Sequence, residues 1–495
     1  MSAPEIWGLV LAILHVVIGF TAAIVISLHR KPATAIAWIL TIIFIPFLGA
    51  IVFFLIGFGR LPRRRREQQR EVNRLMLERS GIETHRVTPE SPAWLTSAAV
   101  LNQNLGALPM VGGNTAALIE NYVESLDQMI IDIDAAESFV HVEFYILVRD
   151  HTTGAFFDAL ARATARGVRV RVLSDHVSGF MFPGRRDTLA ALAEMGAEWR
   201  AMLPLRPHRG QWQRPDLRNH RKLVVIDGRV GYTGSQNLID DTYLKPGNVK
   251  RGLHWIELMV RLEGPIVGEL DAVFVTDWLG ESGEMLPLTS APVSARHHVA
   301  TPVSAPSGVP ATGLDAQVVP SGPSFENDNN LKLFVLLIQS ARSRISITSP
   351  YFVPDESTLL AIVTAASRGV EVELFVSEVA DQVLVYHAQR SYYAALLAAG
   401  VSIYLYRAPT VLHSKHFSID DEVAVIGSSN MDIRSFSLNM EVSVLVRGRE
   451  FVDRMRLVED AYRAQSVKLD AEAWPRRPLP QRVGDALARL TSALQ

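Results

Sequence analysis

Two stretches of the chain carry the same reactive residue types at the same spacing: a histidine, a lysine two residues later and an aspartate five residues after the lysine. They are His220, Lys222 and Asp227 in the first stretch and His413, Lys415 and Asp420 in the second. A Gly-Ser-x-Asn segment follows each stretch, at 234–237 and 427–430, and all matched positions differ by 193. One such motif would be only suggestive, but two copies in one register indicate an internal duplication.

The histidine and lysine of each copy are expected to stand side by side. Each motif runs into apolar, strand-like sequence, and residues i and i+2 of a strand point to the same face. An imidazole can act as nucleophile or as general acid and base, and ammonium groups bind the negative charge of a phosphate. If the copies share one pocket, one histidine can attack phosphorus while the other protonates the departing alkoxide. Each aspartate ends its strand on the opposite face, so we interpret these candidate catalytic residues more as local architecture than as reacting groups.

Further polar residues recur in both copies and are candidates for substrate-binding or orienting roles: Ser235, Asn237 and Glu257 in the first, and Ser428, Asn430 and Glu441 in the second. Each asparagine can return an amide donor to the face that carries the histidine and lysine. Each glutamate lies in a strand-like run, where it is either a solvated strand residue or a carboxylate that fixes the tautomer of an imidazole. His413 and His416 would lie on opposite faces of a strand, so we predict no metal site. We also predict no cofactor.

The same series of elements precedes each motif. A strand-like run, a helical run and a second strand-like run lie at 139–146, 154–166 and 168–174 in the first copy and at 344–352, 356–368 and 370–377 in the second. This order is typical of βαβ units with parallel strands. We therefore predict an α/β fold with a first domain at 96–285, a Pro/Ser-rich linker at 286–323 and a second domain at 324–475.

Two uncharged apolar runs open the chain, at 6–28 and 33–59, and a helix needs about 20 apolar residues to cross a bilayer. We predict a two-helix transmembrane hairpin at 1–60, because the first run lacks the basic flank of a signal peptide and neither run has the polar stripe of a buried core helix. Eight arginines follow: Arg60, Arg63, Arg64, Arg65, Arg66, Arg70, Arg74 and Arg79. They place the later domains in the cytoplasm, and the basic segment at 61–95 would also lie near anionic lipid headgroups.

The composition limits the remaining classes of function. The chain has 495 residues, no cysteine, a net charge of −2 and a mean hydropathy of +0.16. The lack of cysteine excludes disulfides and thiolate chemistry, and the lack of a basic excess argues against a nucleic-acid partner. At 476–495, apolar residues at helical spacing predict an amphipathic helix that either packs on the second domain or lies on the membrane.

The duplicated motif with its Gly-Ser-x-Asn segments resembles the phospholipase D superfamily. The sequence is similar to bacterial cardiolipin synthases in particular at 30–32, 35–40, 46, 49, 58–59, 351–352, 354–355, 430–432 and 434–435. The resemblance implies two tandem phospholipase D-like α/β sandwich domains related by a pseudo-twofold axis. It further implies transfer of a phosphatidyl group between two phosphatidylglycerol molecules at the cell membrane, giving cardiolipin and glycerol, with His220 as the nucleophile and His413 as the acid and base. A hydrolytic phospholipase D, a nucleic-acid phosphodiesterase and a non-catalytic membrane scaffold are the alternatives.

Overall fold

The computed structural model describes residues 2–29, 32–57, 61–80, 91–206, 208, 211, 214–288, 308–325 and 328–491. The chain forms two compact units. The first unit is Met1–Arg60 together with Leu205–Leu217, and the second is Leu61–Pro204 together with Arg218–Gln495. Both histidine motifs belong to the second unit.

The first unit is built from apolar helices. They are α1 (Ala3–His29), α2 (Pro32–Phe44) and α3 (Pro46–Ile56). Residues Ala3–Leu28 are long and apolar enough to cross a membrane. The second predicted span is interrupted between α2 and α3, because Pro46 has no backbone N–H with which to continue the helical hydrogen bonds. The part of the chain that the structure describes therefore has one continuous helix of spanning length. Residues 30 and 31, between the two predicted spans, lie outside the described residues.

The second unit contains both helices and strands. Its helices are α4 (Arg63–Ser80), α5 (Ala93–Gly106), α6 (Tyr122–Asp134), α7 (Gly154–Ala165), α8 (Ser178–Met181), α9 (Arg185–Glu194), α10 (Pro246–Arg251), α11 (Ile266–Ser282), α12 (Asn329–Ser340), α13 (Glu356–Ser367), α14 (Val383–Ala398), α15 (Ile433–Ser437), α16 (Arg449–Ala464) and α17 (Leu479–Arg489), with a 3-10 turn at Trp474–Arg476. Its strands are β1 (Val111–Ile119), β2 (Phe139–Phe144), β3 (Arg169–Asp175), β4 (Glu198–Met202), β5 (Arg218–Asn219), β6 (Lys222–Ile226), β7 (Val230–Gly234), β8 (His254–Ile256), β9 (Met259–Glu263), β10 (Ala311–Ser321), β11 (Arg344–Thr348), β12 (Glu371–Ser377), β13 (Ser402–Tyr406), β14 (Thr410–Leu412), β15 (His416–Ile419), β16 (Val423–Gly427), β17 (Asn439–Arg447) and β18 (Ser466–Lys468).

One large mixed sheet runs through the second unit. Its order is β4-β3-β2-β6-β7-β9-β1-β10-β17-β16-β15-β11-β12-β13-β18, and the short β5 pairs with β17. β2, β3 and β4 run parallel on one side, as do β11, β12 and β13 on the other, and the pairs between these two groups are antiparallel. The two sequence copies therefore meet at the antiparallel pair β1–β10, within a single continuous sheet.

The linker predicted at 286–323 is wrong for residues 311–321, which form the central strand β10. Gly313 and Pro320 gave this stretch the composition of a loop. In the structure Gly313 has a φ of +66°, close to a register shift between β1 and β10, and Pro320 lies one residue before the end of the strand. Glycine and proline are therefore placed at an irregularity and at a strand end, where a sheet tolerates them. Residues 289–307 of the predicted linker lie outside the described residues.

The boundary predicted at 96 also differs from the structure. α5 begins at Ala93, and its residues Leu95 and Ala98 are buried in the apolar core of the second copy together with Leu337. The core of the first copy instead forms around β2 and β3 and includes Phe156. The chain thus contributes a helix to the second copy's core before it forms the first strand of the sheet.

The predicted C-terminal helix is present as α17 and packs on α14 through a polar contact. Asp485 is buried and lies 2.8 Å from Nδ1 of His387 and 2.8 Å from Arg477. Of the five apolar residues that predicted the helix, Leu479, Val483, Leu487 and Leu490 are exposed, and Leu494 lies outside the described residues. The helix therefore packs on the second copy, as one of the two interpretations held, but not through its apolar stripe.

Candidate active site

Each histidine lies where a short strand of its own copy meets a strand of the other copy. β5 pairs in parallel with the start of β17, and the His220 N–H donates to the carbonyl oxygen of Met440 at 2.8 Å. In the same way β14 pairs in parallel with β8, and the His413 N–H donates to the carbonyl oxygen of Ile256 at 2.8 Å. The backbone of both copies therefore positions each motif.

Each imidazole is also held by the glutamate of the other copy. Nδ1 of His220 lies 3.0 Å from both carboxylate oxygens of Glu441, and Nδ1 of His413 lies 2.7 Å from Oε1 of Glu257. A carboxylate at Nδ1 favours the tautomer with the proton on that nitrogen and leaves Nε2 available to react. The sequence predicted a glutamate partner for an imidazole, but its spacing gave no sign that the pairs cross between the copies.

Hydroxyl groups surround the two carboxylates. Ser428 Oγ and Ser435 Oγ donate to Glu441 at 2.5 and 2.9 Å, and the Tyr243 hydroxyl donates to Glu257 at 2.9 Å. Burial favours the neutral form of each glutamate, but the histidine that it holds and a nearby lysine outweigh burial and lower both pKa values. Both carboxylates therefore remain ionised at neutral pH.

His413, Lys222 and Lys415 are buried and the His220 side chain is 12% exposed, and burial shifts all four groups towards their neutral forms. Burial, followed by the charge of Lys415, lowers the pKa of Lys222 to about 7, and burial lowers the pKa of Lys415 to about 8. Burial likewise lowers the pKa of His220 to about 4 and lowers that of His413. Each lysine Nζ donates to the carbonyl oxygen of its own histidine at 2.6 Å. Because Lys415 acts on Lys222 and His220, and Lys222 on His413, the two motifs share one electrostatic environment.

The Gly-Ser-x-Asn segments support the site, with one difference from the prediction. A Cβ atom on Gly234 or on Gly427 would lie 2.3 Å from a carbonyl oxygen of a neighbouring segment, which explains the glycine. Ser235 Oγ accepts from the Leu258 N–H at 2.9 Å. Asn237 was predicted to offer its amide to the histidine face, but Nδ2 donates to the Tyr243 hydroxyl at 2.8 Å and so acts on Glu257 through that tyrosine.

Asn430 is buried in the second copy, and its amide has a different environment. Its backbone N–H donates to Ser435 Oγ at 3.2 Å. Its Oδ1 is buried with no hydrogen-bond partner among the described residues. This amide is thus less engaged by the protein than the Asn237 amide and can still take a substrate as its partner.

The aspartates of the two motifs lie at the opposite end of the strands from the histidines. Asp227 accepts from the backbone N–H groups of Glu137, Ser138 and Phe139 at 2.7–2.9 Å, which fixes the start of β2. Asp420 accepts from the backbone N–H groups of residues 342–344 and fixes the start of β11. Their placement as catalytic candidates is therefore corrected: both aspartates are architectural.

Replacing Asp420 with alanine is expected to lower the free energy of unfolding by about 2–4 kcal/mol, because three backbone donors lose a charged acceptor. Burial raises the pKa of Asp420, but the hydrogen bonds from the backbone N–H groups have the larger combined effect, so the pKa is lowered. Its stabilising effect is therefore present above the ordinary aspartate pKa and lost as the pH falls through the lowered one. Thermal unfolding of the full chain in detergent at several pH values measures this difference. Asp421→Ala is the matched control, since the Asp421 side chain is 58% exposed, and an equal effect of both changes would contradict the assignment.

Three tyrosines lie against the histidines; the sequence indicated Tyr351 only through the family resemblance and did not single out Tyr145 or Tyr243. The Tyr145 ring lies 5.2 Å from that of His220, and the Tyr351 and Tyr243 rings each lie 6.0 Å from that of His413. Burial raises the pKa of Tyr145 to about 12, so its hydroxyl stays protonated. A usable signal was present, because Tyr145 and Tyr351 follow the equivalent strands β2 and β11 within three residues.

Comparisons with known proteins agree with this architecture. The family model described as "Cardiolipin synthase, PLD-like domain" matches residues 129–278 and 334–458, and the model described as "Phospholipase_D-nuclease N-terminal" matches residues 9–57. The chain is 31% identical over 482 residues to cardiolipin synthase A of Proteus mirabilis (strain HI4320), covering 95% of this chain and 94% of that protein. It is 32% identical over 475 residues to cardiolipin synthase A of Edwardsiella ictaluri (strain 93-146), covering 94% of each.

A solved structure shows the same fold at low sequence identity. Phosphatidylserine synthase from Haemophilus influenzae Rd KW20 superposes with a TM-score of 0.56 at 14% identity, covering 80% of this chain and 99% of that one. The two family matches fall on the two copies of the histidine motif and on the N-terminal apolar helices. The chain is thus an enzyme of the phospholipase D-like cardiolipin synthase family.

Proposed function

We propose that this enzyme transfers a phosphatidyl group from one phosphatidylglycerol molecule to the free glycerol hydroxyl of another, giving cardiolipin and glycerol. The observation that carries the proposal is the crossed pairing of His220 with Glu441 and of His413 with Glu257, at 3.0 and 2.7 Å. It joins two imidazoles, each held at Nδ1 by a carboxylate, to two lysines in one site, and Nζ of Lys415 lies 3.2 Å from Nε2 of His413. These are the groups that a double displacement at phosphorus requires.

In the first displacement His220 is the nucleophile. Its Nε2 attacks phosphorus, a P–N bond forms, and the P–O bond to the departing glycerol breaks. A pKa of about 4 keeps this imidazole neutral and nucleophilic at pH 7. Glu441 accepts a hydrogen bond from the Nδ1–H of His220 and stabilises the positive charge that the ring gains on phosphorylation. His413 donates a proton to the glycerol oxygen as the oxygen leaves.

In the second displacement His413 acts as a base. It takes the proton from the hydroxyl of the second phosphatidylglycerol, the hydroxyl oxygen attacks phosphorus, and the P–N bond breaks and returns its electron pair to His220. The bound phosphate anion favours the protonated form of His413, and this effect opposes the lowering of its pKa by burial. Lys222 and Lys415 offset the phosphate charge, so we infer that the reaction needs neither a metal nor a cofactor.

The finer features of the architecture are part of the proposal. Counted inwards from β4 and from β13, the order of parallel and antiparallel pairs towards β1–β10 is the same, which supports a pseudo-twofold relation between the copies; the antiparallel strand β18, beyond β13, has no counterpart beyond β4. α2 and α3, of 13 and 11 residues, are separated by a single residue, Ile45, and together would form a kinked second membrane span. The basic residues that follow then place the second unit in the cytoplasm. Arg65 is engaged by Glu281 at 2.7 Å, so part of this basic segment serves the fold.

Incubation of the purified full chain with phosphatidylglycerol vesicles, followed by mass analysis of the lipids, tests the proposed function. Cardiolipin and glycerol are expected in equal amounts, because each transfer releases one glycerol. Phosphatidic acid without cardiolipin would instead mean that water takes the phosphatidyl group from His220 and that the enzyme is a hydrolase. Cleavage of an oligonucleotide under the same conditions, with no change in the lipid, would contradict both.

A further inference from the structure

Five large apolar side chains are exposed on three helices of the second unit that contacts between neighbouring residues connect, and we call them the apolar rim: Phe180, Met181, Val249, Val383 and Leu384. Their exposed fractions are between 55% and 70%. Phe180 and Met181 end α8 in the first copy, Val249 lies on α10, and Val383 and Leu384 begin α14 in the second copy. Soluble proteins rarely expose apolar residues together without a binding role.

The two ends of the rim lie at corresponding places beside the two histidines. α8 follows β3, whose last residue Asp175 accepts from the N–H of Asn219, the residue before His220, at 3.0 Å. α14 follows β12, whose last residue Ser377 accepts from the N–H of Leu412, the residue before His413, at 2.8 Å. In each copy, the residue before the reactive histidine is therefore hydrogen-bonded to the end of a parallel strand, and the helix after that strand carries a pair of exposed apolar residues.

Contacts through α10 connect the two ends. Lys245, at the start of α10, lies over the Phe182 ring at 5.3 Å, and Arg251, at its end, donates to the carbonyl oxygen of Ala380 at 3.1 Å. Phe182 and Val379 also pack in one small apolar cluster that includes Tyr243. The small apolar cluster next to the rim therefore contacts the site, because the Tyr243 hydroxyl donates to Glu257.

Basic side chains lie among the rim residues. Arg186, Lys250 and Arg251 are exposed, and each is within five residues of a member of the rim in sequence. Lys245 and Lys250 are two of only seven lysines in the chain. Apolar side chains interleaved with cations match the boundary between acyl chains and anionic headgroups in a phospholipid bilayer.

We propose that the second unit docks on the bilayer surface through the apolar rim, a contact separate from the N-terminal helices. The rim side chains enter the boundary between headgroups and acyl chains, and the cations contact lipid phosphates. The choice of lipid as occupant rests on the proposed function, since the phosphodiester that must reach His220 and His413 lies at that depth. A protein partner bound across both ends of the rim would cover the approach to the site.

Site-directed spin labelling tests this docking, and the absence of cysteine from the chain removes any background. Single cysteines at Met181, Val249 and Val383 are labelled in the full chain, reconstituted in vesicles of phosphatidylcholine and phosphatidylglycerol in equal parts. We expect collisions with lipid-soluble oxygen to exceed those with a water-soluble nickel complex. A label at Ile131 is the matched control. Ile131 is 47% exposed and lies in the last turn of α6, next to the start of β2 that Asp227 fixes, at the end of the strands opposite to the histidines. A label there should collide more often with the nickel complex than with oxygen.

The proposal would be overturned if the labels on the rim collided more often with the nickel complex than with oxygen, as the control label should. Labels shielded from both reagents would also overturn it, because they would mean that a protein or a second copy covers the rim. The quadruple change Phe180→Ser, Met181→Ser, Val383→Ser and Leu384→Ser adds a functional readout. The ratio of activity on phosphatidylglycerol vesicles to activity on monomeric short-chain phosphatidylglycerol should fall about tenfold, and Ile131→Ser should leave the ratio unchanged. If the unmodified enzyme makes cardiolipin from neither substrate, the proposed function fails, while the labels still decide the docking.

Discussion

Replacing His220 with alanine is expected to reduce cardiolipin synthesis by about 10⁴-fold or more, because the reaction loses the atom that forms the covalent bond to phosphorus. Replacing His413 should cause a similar loss with phosphatidylglycerol, since a glycerol alkoxide leaves poorly without a proton. An activated substrate separates the two roles. In a p-nitrophenyl phosphatidyl ester, the nitrophenolate departs without protonation and its release is read directly from absorbance.

With this ester, His413→Ala should release about one nitrophenolate per enzyme and then stall, because no base activates the incoming hydroxyl. The phosphatidyl group should remain on His220, and peptide mass analysis at alkaline pH, where phosphoramidate bonds survive, locates it. His220→Ala should give no such burst. A burst from His220→Ala and none from His413→Ala would exchange the two roles. His151→Ala is the matched control, since this side chain is 76% exposed and should leave both reactions unchanged.

The reactive residues could be found from the sequence because the duplication supplies an internal comparison. His220 and His413 occur in matched settings, so each copy serves as a control for the other. The partner of each imidazole could not be found in this way. His220 and Glu441 are 221 residues apart, and the cross-copy pairs β5–β17 and β8–β14 bring such residues together.

The errors in the domain boundaries have a physical cause as well. Residues 311–321 were included in the predicted linker at 286–323 because that segment is rich in proline, serine, alanine and glycine and lacks periodicity. A central strand can carry glycine and proline where its register shifts and where it ends, as Gly313 and Pro320 do in β10. α5 was assigned to the first copy by its position in the chain. Its residues Leu95 and Ala98 are nevertheless buried against the second copy, a contact that no local pattern encodes.

The aspartates show how a recurring motif can combine chemistry with architecture. Asp227 and Asp420 have φ values of +52° and +50°, and each closes a turn while its carboxylate fixes the start of the neighbouring strand. Strand alternation predicted that they point away from the face that carries the histidines, and in the structure they lie in turns at the far end of each motif. Their actual partners are backbone N–H groups from 76 to 90 residues away, which the sequence alone does not reveal.

Replacing Glu441 or Glu257 with glutamine is expected to reduce turnover of phosphatidylglycerol by roughly 10²-fold. The glutamine amide oxygen can still accept a hydrogen bond from Nδ1–H, but it carries no negative charge to stabilise a positively charged imidazole ring. The activated ester again separates the pairs. Glu441→Gln should slow the nitrophenolate burst, since it acts on His220. Glu257→Gln should leave the burst fast and slow the later transfer, since it acts on His413. Equal effects of both changes on the burst would contradict the crossed assignment.

The pH profile distinguishes positioning from general damage to the fold. Glu441 raises the pKa of His220 against the larger lowering by burial, so removing its charge should lower that pKa further. His220 must be neutral to attack, and the acid limb of kcat/KM should therefore move to lower pH in Glu441→Gln even as the maximum falls. A damaged site would lose activity without this shift. In the double variant His220→Ala, Glu441→Gln, the second change should add little, because the hydrogen-bonded partner on which the carboxylate acts is already missing.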